Sequence, residues 1–200
     1  YRRQRQMCIR DSSMAIWTYL KEHDRGKTNF HFEVAVDLLN EEEMELIASM
    51  RPGLIQLEIG IQSTNPETIT EIRRKMNFEE VKRIVKRVQE KGNVHQHLDL
   101  IAGLPYEDYE RFAQSFRDVY ALHPEQLQLG FLKVLKGSYM HEKTEDYQLL
   151  YQDRPPFEVL STKWLSYDDV IRLKGVEEMV EVYYNSGQFV NTCLLYTSPS

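Results

Sequence analysis

The sequence predicts an α/β protein in which a parallel sheet is crossed by helices and keeps one polar face. Two observations predict it. Short strand-like runs alternate with helical patterns, and the crossovers between runs are far longer than the two to five residues of a hairpin. Within each run, apolar residues alternate with polar ones, where a strand buried on both faces would read as continuous Val, Ile and Leu. In "HQHLDLIAGLP" (95–105), His95, His97 and Asp99 share the face opposite Leu98 and Leu100.

The elements follow in order. The strand "NFHFEVAV" (29–36) is followed by Asn40 and Glu41, Glu42 and Glu43, which make a strong helix start, and by "RPG", a stop. The strand "LIQLEIGIQS" (54–63) leads to Asn65 as a cap with Pro66 in the first turn. A helix around 78–91 places Val81, Ile84, Val85 and Val88 on one face and ends at Gly92 and Asn93. After the strand at 95–105 come a helix from about Glu107 to Leu122 carrying Phe112, Phe116, Val119 and Tyr120, and a last strand "QLQLGFLKVL" after Pro124.

Parity assigns the faces. Phe30, Phe32, Val34 and Val36 oppose His31, Glu33, Ala35 and Asp37; Ile55, Leu57, Ile59 and Ile61 oppose Gln56, Glu58, Gly60 and Gln62; Leu127, Leu129 and Phe131 oppose Gln126, Gln128 and Gly130. The apolar face meets the helices, so the polar face lines the other side, which in a curved parallel sheet is the lumen of a barrel. An antiparallel sheet with one wet face would give the same alternation, but not the long crossovers. A barrel packed with Val, Ile and Leu would not hold these charges unless each had a partner. The pair His95-x-His97 suggests a metal, yet it sits at the N-terminal end of its strand, away from where sites on parallel barrels gather. This reading leaves His95 on the surface and His97 hydrogen-bonded in the lumen, with no metal ligand assigned.

Composition narrows the class. Against 31 acidic residues stand 25 basic ones, a net charge of −6, which excludes the broad positive surface of a nucleic-acid binder. No apolar run approaches the roughly 20 residues of a membrane span, and a cytoplasmic protein that takes small substrates or protein partners is expected. The end strings "YRRQRQMCIRDS" and "CLLYTSPS" resemble translated sequencing-adapter read-through, and they hold the only cysteines, Cys8 and Cys193. The expected organisation is therefore tails of that kind at 1–12 and 193–200, a partial barrel at 13–138, and a mainly helical C-terminal extension at 139–192.

The stretches "LEIGIQSTNPETITEIRR", "HLDLIAGLPYEDYERF" and "LQLGFLKVLKG" resemble the second half of a radical S-adenosylmethionine (SAM) core, most of all that of enzymes with an N-terminal cobalamin-binding domain. The tail "RPPFEVLSTKWLSYDDVIRLKGVEEMVEVYYNSGQF" is similar to a C-terminal domain of unknown function found on that group. The resemblance implies a partial (β/α)6 barrel and reductive cleavage of SAM at a [4Fe-4S] cluster to give a 5′-deoxyadenosyl radical, with flavodoxin or ferredoxin as electron donor. The cluster's Cys-x3-Cys-x2-Cys motif is absent from this sequence, so the resemblance implies a fragment that lacks the first strands and the cobalamin domain and is inactive alone.

From the coproporphyrinogen-oxidase-like branch, Glu33, Gln62, Arg74 and Asp99 match positions that bind SAM. Arg74 suits the carboxylate, Glu33 the ammonium or ribose, Gln62 either polar group, and Asp99 the ribose hydroxyls. Glu58 is a weaker candidate for SAM or substrate, Gly60 and Gly103 would let backbone approach the ligand, and Lys133 ends the strand matched to a segment along adenine. The alternatives are a solvated Arg74, a polar network that only fixes the barrel's shape, a module that holds SAM or a related nucleotide without cleaving it, and a radical SAM enzyme without cobalamin.

Overall fold

The computed structural model describes the backbone of residues 2–35 and 39–189, with side chains from residue 12 onward. Val36 and Asp37, both assigned to strand faces above, and Cys8 and Cys193 of the tails have side chains outside the described residues. Four strands, β1 (Phe30–Val34), β2 (Ile55–Gln62), β3 (His95–Ala102) and β4 (Gln126–Phe131), make one sheet in the order β1-β2-β3-β4, with helices between them. The predicted α/β fold, a partial barrel with parallel strands, is the fold observed. The chain divides into two compact units, residues 1–60 with 76–97 and residues 61–75 with 98–200.

In the first unit α1 (Arg2–His23) precedes β1, and Trp17 of α1, 3% exposed, meets Phe32 edge-on at 6.0 Å. β1 pairs with β2 in parallel register, Glu33 opposite Glu58. The helix α2 (Glu41–Ala48) begins at the expected cap: Asn40 accepts from the Glu43 amide while Glu43 reaches back to the Asn40 amide. The helix α4 (Phe78–Gln89) buries Val81, Ile84, Val85 and Val88, the four residues that periodicity places on one face. Burial along β2 alternates strictly, with Ile55, Leu57, Ile59 and Ile61 fully buried. Gln96 breaks the apolar rule on the helix-facing side of β3, and its amide donates to the Val85 carbonyl at 3.2 Å.

The second unit holds α3 (Pro66–Glu71), capped by Asn65, and α5 (Tyr109–Tyr120), capped by Asp108. Sequence periodicity places Glu107 in this helix; because Asp108 takes the cap, Glu107 instead lies buried in the preceding turn. The buried row of α5 is Phe112, Ser115 and Val119, while Tyr120 is exposed. The extension comprises α6 (Tyr139–Glu142), β5 (Leu150–Tyr151), β6 (Val159–Ser161), α7 (Tyr167–Met179) and a π-helical segment Val180–Asn185. Its helices are joined by a two-stranded antiparallel sheet, β5 with β6, which the helical reading of the tail does not include. After Phe131 the chain leaves the sheet and pairs with the extension: Val159 donates to the Leu132 carbonyl and Val134 to that of Phe157. The Asn185 amide accepts from the Leu127 amide and donates to the Leu127 carbonyl, satisfying backbone groups of β4 that would otherwise stay open.

Candidate functional site

The polar residues at the ends of β2 and β3 carry the geometry, and in the second unit they zip two loops together. The Ser63 amide donates to the Ile61 carbonyl at 2.9 Å across Gln62, whose φ is 71°. That is a γ-turn with a left-handed central residue, a conformation costing about 1–3 kcal/mol that persists where surrounding contacts enforce it. The enforcing contacts follow at once. Ser63 Oγ donates to Glu107 Oε1 at 2.6 Å, Ser115 Oγ to the same oxygen at 2.8 Å, and Thr64 Oγ1 to Asp118 at 2.8 Å. Asn65 Nδ2 donates to the Tyr106 carbonyl and Thr68 Oγ1 to that of Pro105, each at 2.8 Å. The Gln-Ser-Thr-Asn-Pro and Gly-Leu-Pro-Tyr-Glu segments are thereby fixed to each other.

Glu107 is 1% exposed, and its second oxygen, Oε2, has no hydrogen-bond partner among the described residues. Burial pushes its carboxyl up to about 7 from the usual 4.5, against the two serine hydroxyls that favour the charged form. Between pH 4.5 and 7 the unfolded chain has lost this proton and the folded chain holds it, so stability falls as pH rises through that window. The penalty reaches about 3 kcal/mol above pH 7. Glu107→Gln keeps an acceptor for Ser63 and Ser115 but cannot ionise. Urea melts should find the variant close to the parent near pH 4.5 and more stable by about 2–3 kcal/mol at pH 8; a parallel pH dependence in both would contradict the assignment.

The predicted site residues divide between the units. Glu33, exposed, and Glu58, half-buried, are register neighbours on the polar face of the first unit, which also contains Gly60. In the second, Gln62 and Asp99 are half-buried and Arg74 is exposed, its amide bonded to the Ile69 carbonyl. The turn before Arg74 is anchored to the extension. The Arg73 guanidinium lies 3.9 Å from the Tyr139 ring centre, and Glu71 accepts from the hydroxyls of Tyr147 and Tyr139, which hold its carboxyl below the usual range. Gly103 has φ +87°, and a β-carbon there would lie 2.7 Å from Val159 Cγ1, so the space beside it is filled by the extension. Lys133 is exposed, and its backbone pairs antiparallel with that of Glu158. Sequence reading misses Glu107 and Ser115; their only sequence signal is that a carboxylate and a hydroxyl stand where an apolar helix row is expected.

In the first unit a different cluster forms. His31 Nε2 lies 2.7 Å from Glu58 Oε2, and the His31 and His97 ring centres are 6.4 Å apart. No described helix is long and apolar enough to cross a membrane.

Comparison with known proteins adds family evidence. Residues 9–119 match the model of the radical SAM superfamily, and residues 145–198 match that of a protein family of unknown function, DUF4080. The chain is 33% identical over 98 residues to the oxygen-independent coproporphyrinogen III oxidase of Paracoccus denitrificans, covering 49% of this chain and 22% of that protein. It is 28% identical over 113 residues to the Salmonella typhimurium enzyme of the same name, covering 56% and 24%. The chain thus spans about a quarter of the length of these relatives. Among solved structures, Escherichia coli coproporphyrinogen III oxidase (HemN) aligns with a TM-score of 0.61 at 19% identity, over 90% of this chain and 38% of that one. The methyltransferase TsrM of Kitasatospora setae, with cobalamin and a [4Fe-4S] cluster bound, aligns with a TM-score of 0.57 at 14% identity, over 76% and 31%.

Proposed function

The chain belongs to the radical SAM superfamily, a family of enzymes, and from that premise we propose that it is the SAM-binding part of a longer radical SAM enzyme. The observation that carries this reading is the strained γ-turn at Gln62, held open by a buried network that includes Glu107. Strain of this kind concentrates where a side chain must be presented to a ligand. Gln62, Arg74 and Asp99, all of the second unit, are the proposed contacts: an amide for a polar group of the amino-acid moiety, a guanidinium for its carboxylate, and a carboxylate for the ribose hydroxyls. When bound and reduced at a cluster, SAM supplies the family's 5′-deoxyadenosyl radical. This chain's own residues do not fit the cluster, since its two cysteines, Cys8 and Cys193, cannot make the three-thiolate set. The cluster ligands are proposed to lie upstream.

Two finer readings of the same enzyme follow. A cobalamin link is supported by the sequence resemblance, and by the likeness of fold to TsrM. A cobalamin-independent enzyme of the coproporphyrinogen-oxidase type is supported by the relative at 33% identity. The full-length protein separates them. Purified anaerobically and reduced, it should release 5′-deoxyadenosine from SAM, and a corrin absorption spectrum should accompany it only if the first holds. Binding of SAM without any cleavage would contradict the enzymatic reading. The 200-residue chain itself, given iron and sulfide, should develop no stable cluster absorbance near roughly 400 nm; a stoichiometric cluster on it would overturn the upstream assignment.

A further inference from the structure

We propose that His31, Glu58 and His97 form a binding site for a divalent transition-metal ion of the zinc class. Their ligand atoms all lie within 4.8 Å of one another, and the three residues come from three neighbouring strands of the first unit. His31 and His97 are two strands apart, a separation of about 9.6 Å at the backbone of a flat sheet. Their ring centres nevertheless stand 6.4 Å apart, tilted by 43°. The imidazoles therefore lean toward each other over β2, where Glu58 rises between them and meets His31 Nε2 at 2.7 Å. An ion pair of His31 with Glu58 needs no third partner, and the convergence of His97 is what exceeds it.

The donor set fixes the class of ion. Two imidazoles and one carboxylate suit borderline cations such as Zn2+ and Co2+, and they match the three-ligand pattern of sites that leave a fourth position for water or a further ligand. With Zn–N and Zn–O bonds of about 2.0–2.1 Å, tetrahedral ligand atoms stand roughly 3.3 Å apart, so His31 and Glu58 would part by only about 0.6 Å. Solvent reaches the site from one side, because the His31 side chain is 47% exposed and that of Glu58 28%, while His97 at 7% forms its floor. His95, two residues from His97 on the same strand, is not among the three. The site is independent of the SAM reading, because its test reads metal affinity and not SAM binding.

The test is a titration of the chelator-treated 200-residue chain with Co2+, followed by its visible spectrum. One equivalent should bind, with d–d bands of nitrogen and oxygen ligation and no sulfur-to-metal charge transfer from Cys8 or Cys193. His97→Ala and Glu58→Gln should weaken binding by roughly a hundredfold or more, since loss even of a hydrogen-bond partner of a ligand costs 10–100-fold. His95→Ala should bind like the parent. His97 is buried, so the exposed His31→Ala provides the check that does not disturb packing, and it should lose the ion while its circular dichroism is unchanged. Absence of stoichiometric binding, or affinity in His31→Ala and Glu58→Gln equal to the parent's, would overturn the proposal.

Discussion

Gly103→Ala is expected to destabilise the chain by about 2–4 kcal/mol, for two reasons that add. The residue has φ +87°, and an L side chain in left-handed backbone costs roughly 1–2 kcal/mol. The new methyl would also stand 2.7 Å from Val159 Cγ1, a branched side chain that is fully buried and stiff about χ1. Forcing extra carbon into such a place costs about 1–3 kcal/mol. The two terms separate in a double-mutant cycle. Val159→Ala alone should cost about 1–3 kcal/mol through the cavity it leaves, but in the Gly103→Ala background it removes the overlap and should cost much less. Urea melts of the four proteins give the coupling. Additive effects would mean that the extension does not occupy the space beside Gly103.

Asp99→Ala, in the full-length protein, is expected to lower SAM affinity by roughly ten- to a hundredfold. A hydrogen bond to a charged group is worth about 1.5–3 kcal/mol, and each 1.4 kcal/mol is tenfold. On the proposed assignment, removing the carboxylate takes a charge-assisted acceptor from the ribose hydroxyls and leaves Gln62 and Arg74 in place. Arg74→Ala should weaken binding to a similar degree through the SAM carboxylate, whereas His95→Ala, at the start of β3, should leave affinity unchanged. Calorimetry reads the affinities, and the cluster absorbance checks that the rest of the protein is intact.

Much of the fold was legible because it is written at short range. The alternation along β2 gave its buried and half-buried faces residue by residue, and the caps at Asn40 and Asn65 and the valine-rich face of α4 follow from spacing alone. What was not legible depends on partners distant in sequence. Glu107 reads as a helix residue until Ser63 and Ser115 are seen to claim it from 44 and 8 residues away. Nothing near Gly103 in sequence announces Val159, 56 residues on, whose side chain stands where a β-carbon of residue 103 would be. His97 was set against its sequence neighbour His95, whereas the side chains that converge on it are His31 and Glu58, brought close by the parallel register of β1 with β2. Periodicity reports which face a residue is on, and carries no information about which residue from another strand shares it.

Hydrogen exchange of the full-length protein with and without saturating SAM locates the ligand most directly. Binding should slow exchange in peptides spanning residues 60–65 and 98–104, the ends of β2 and β3, and leave the peptides of α7 unchanged. Saturation by SAM with no added protection in either strand-end segment would contradict the assignment of this polar face to SAM.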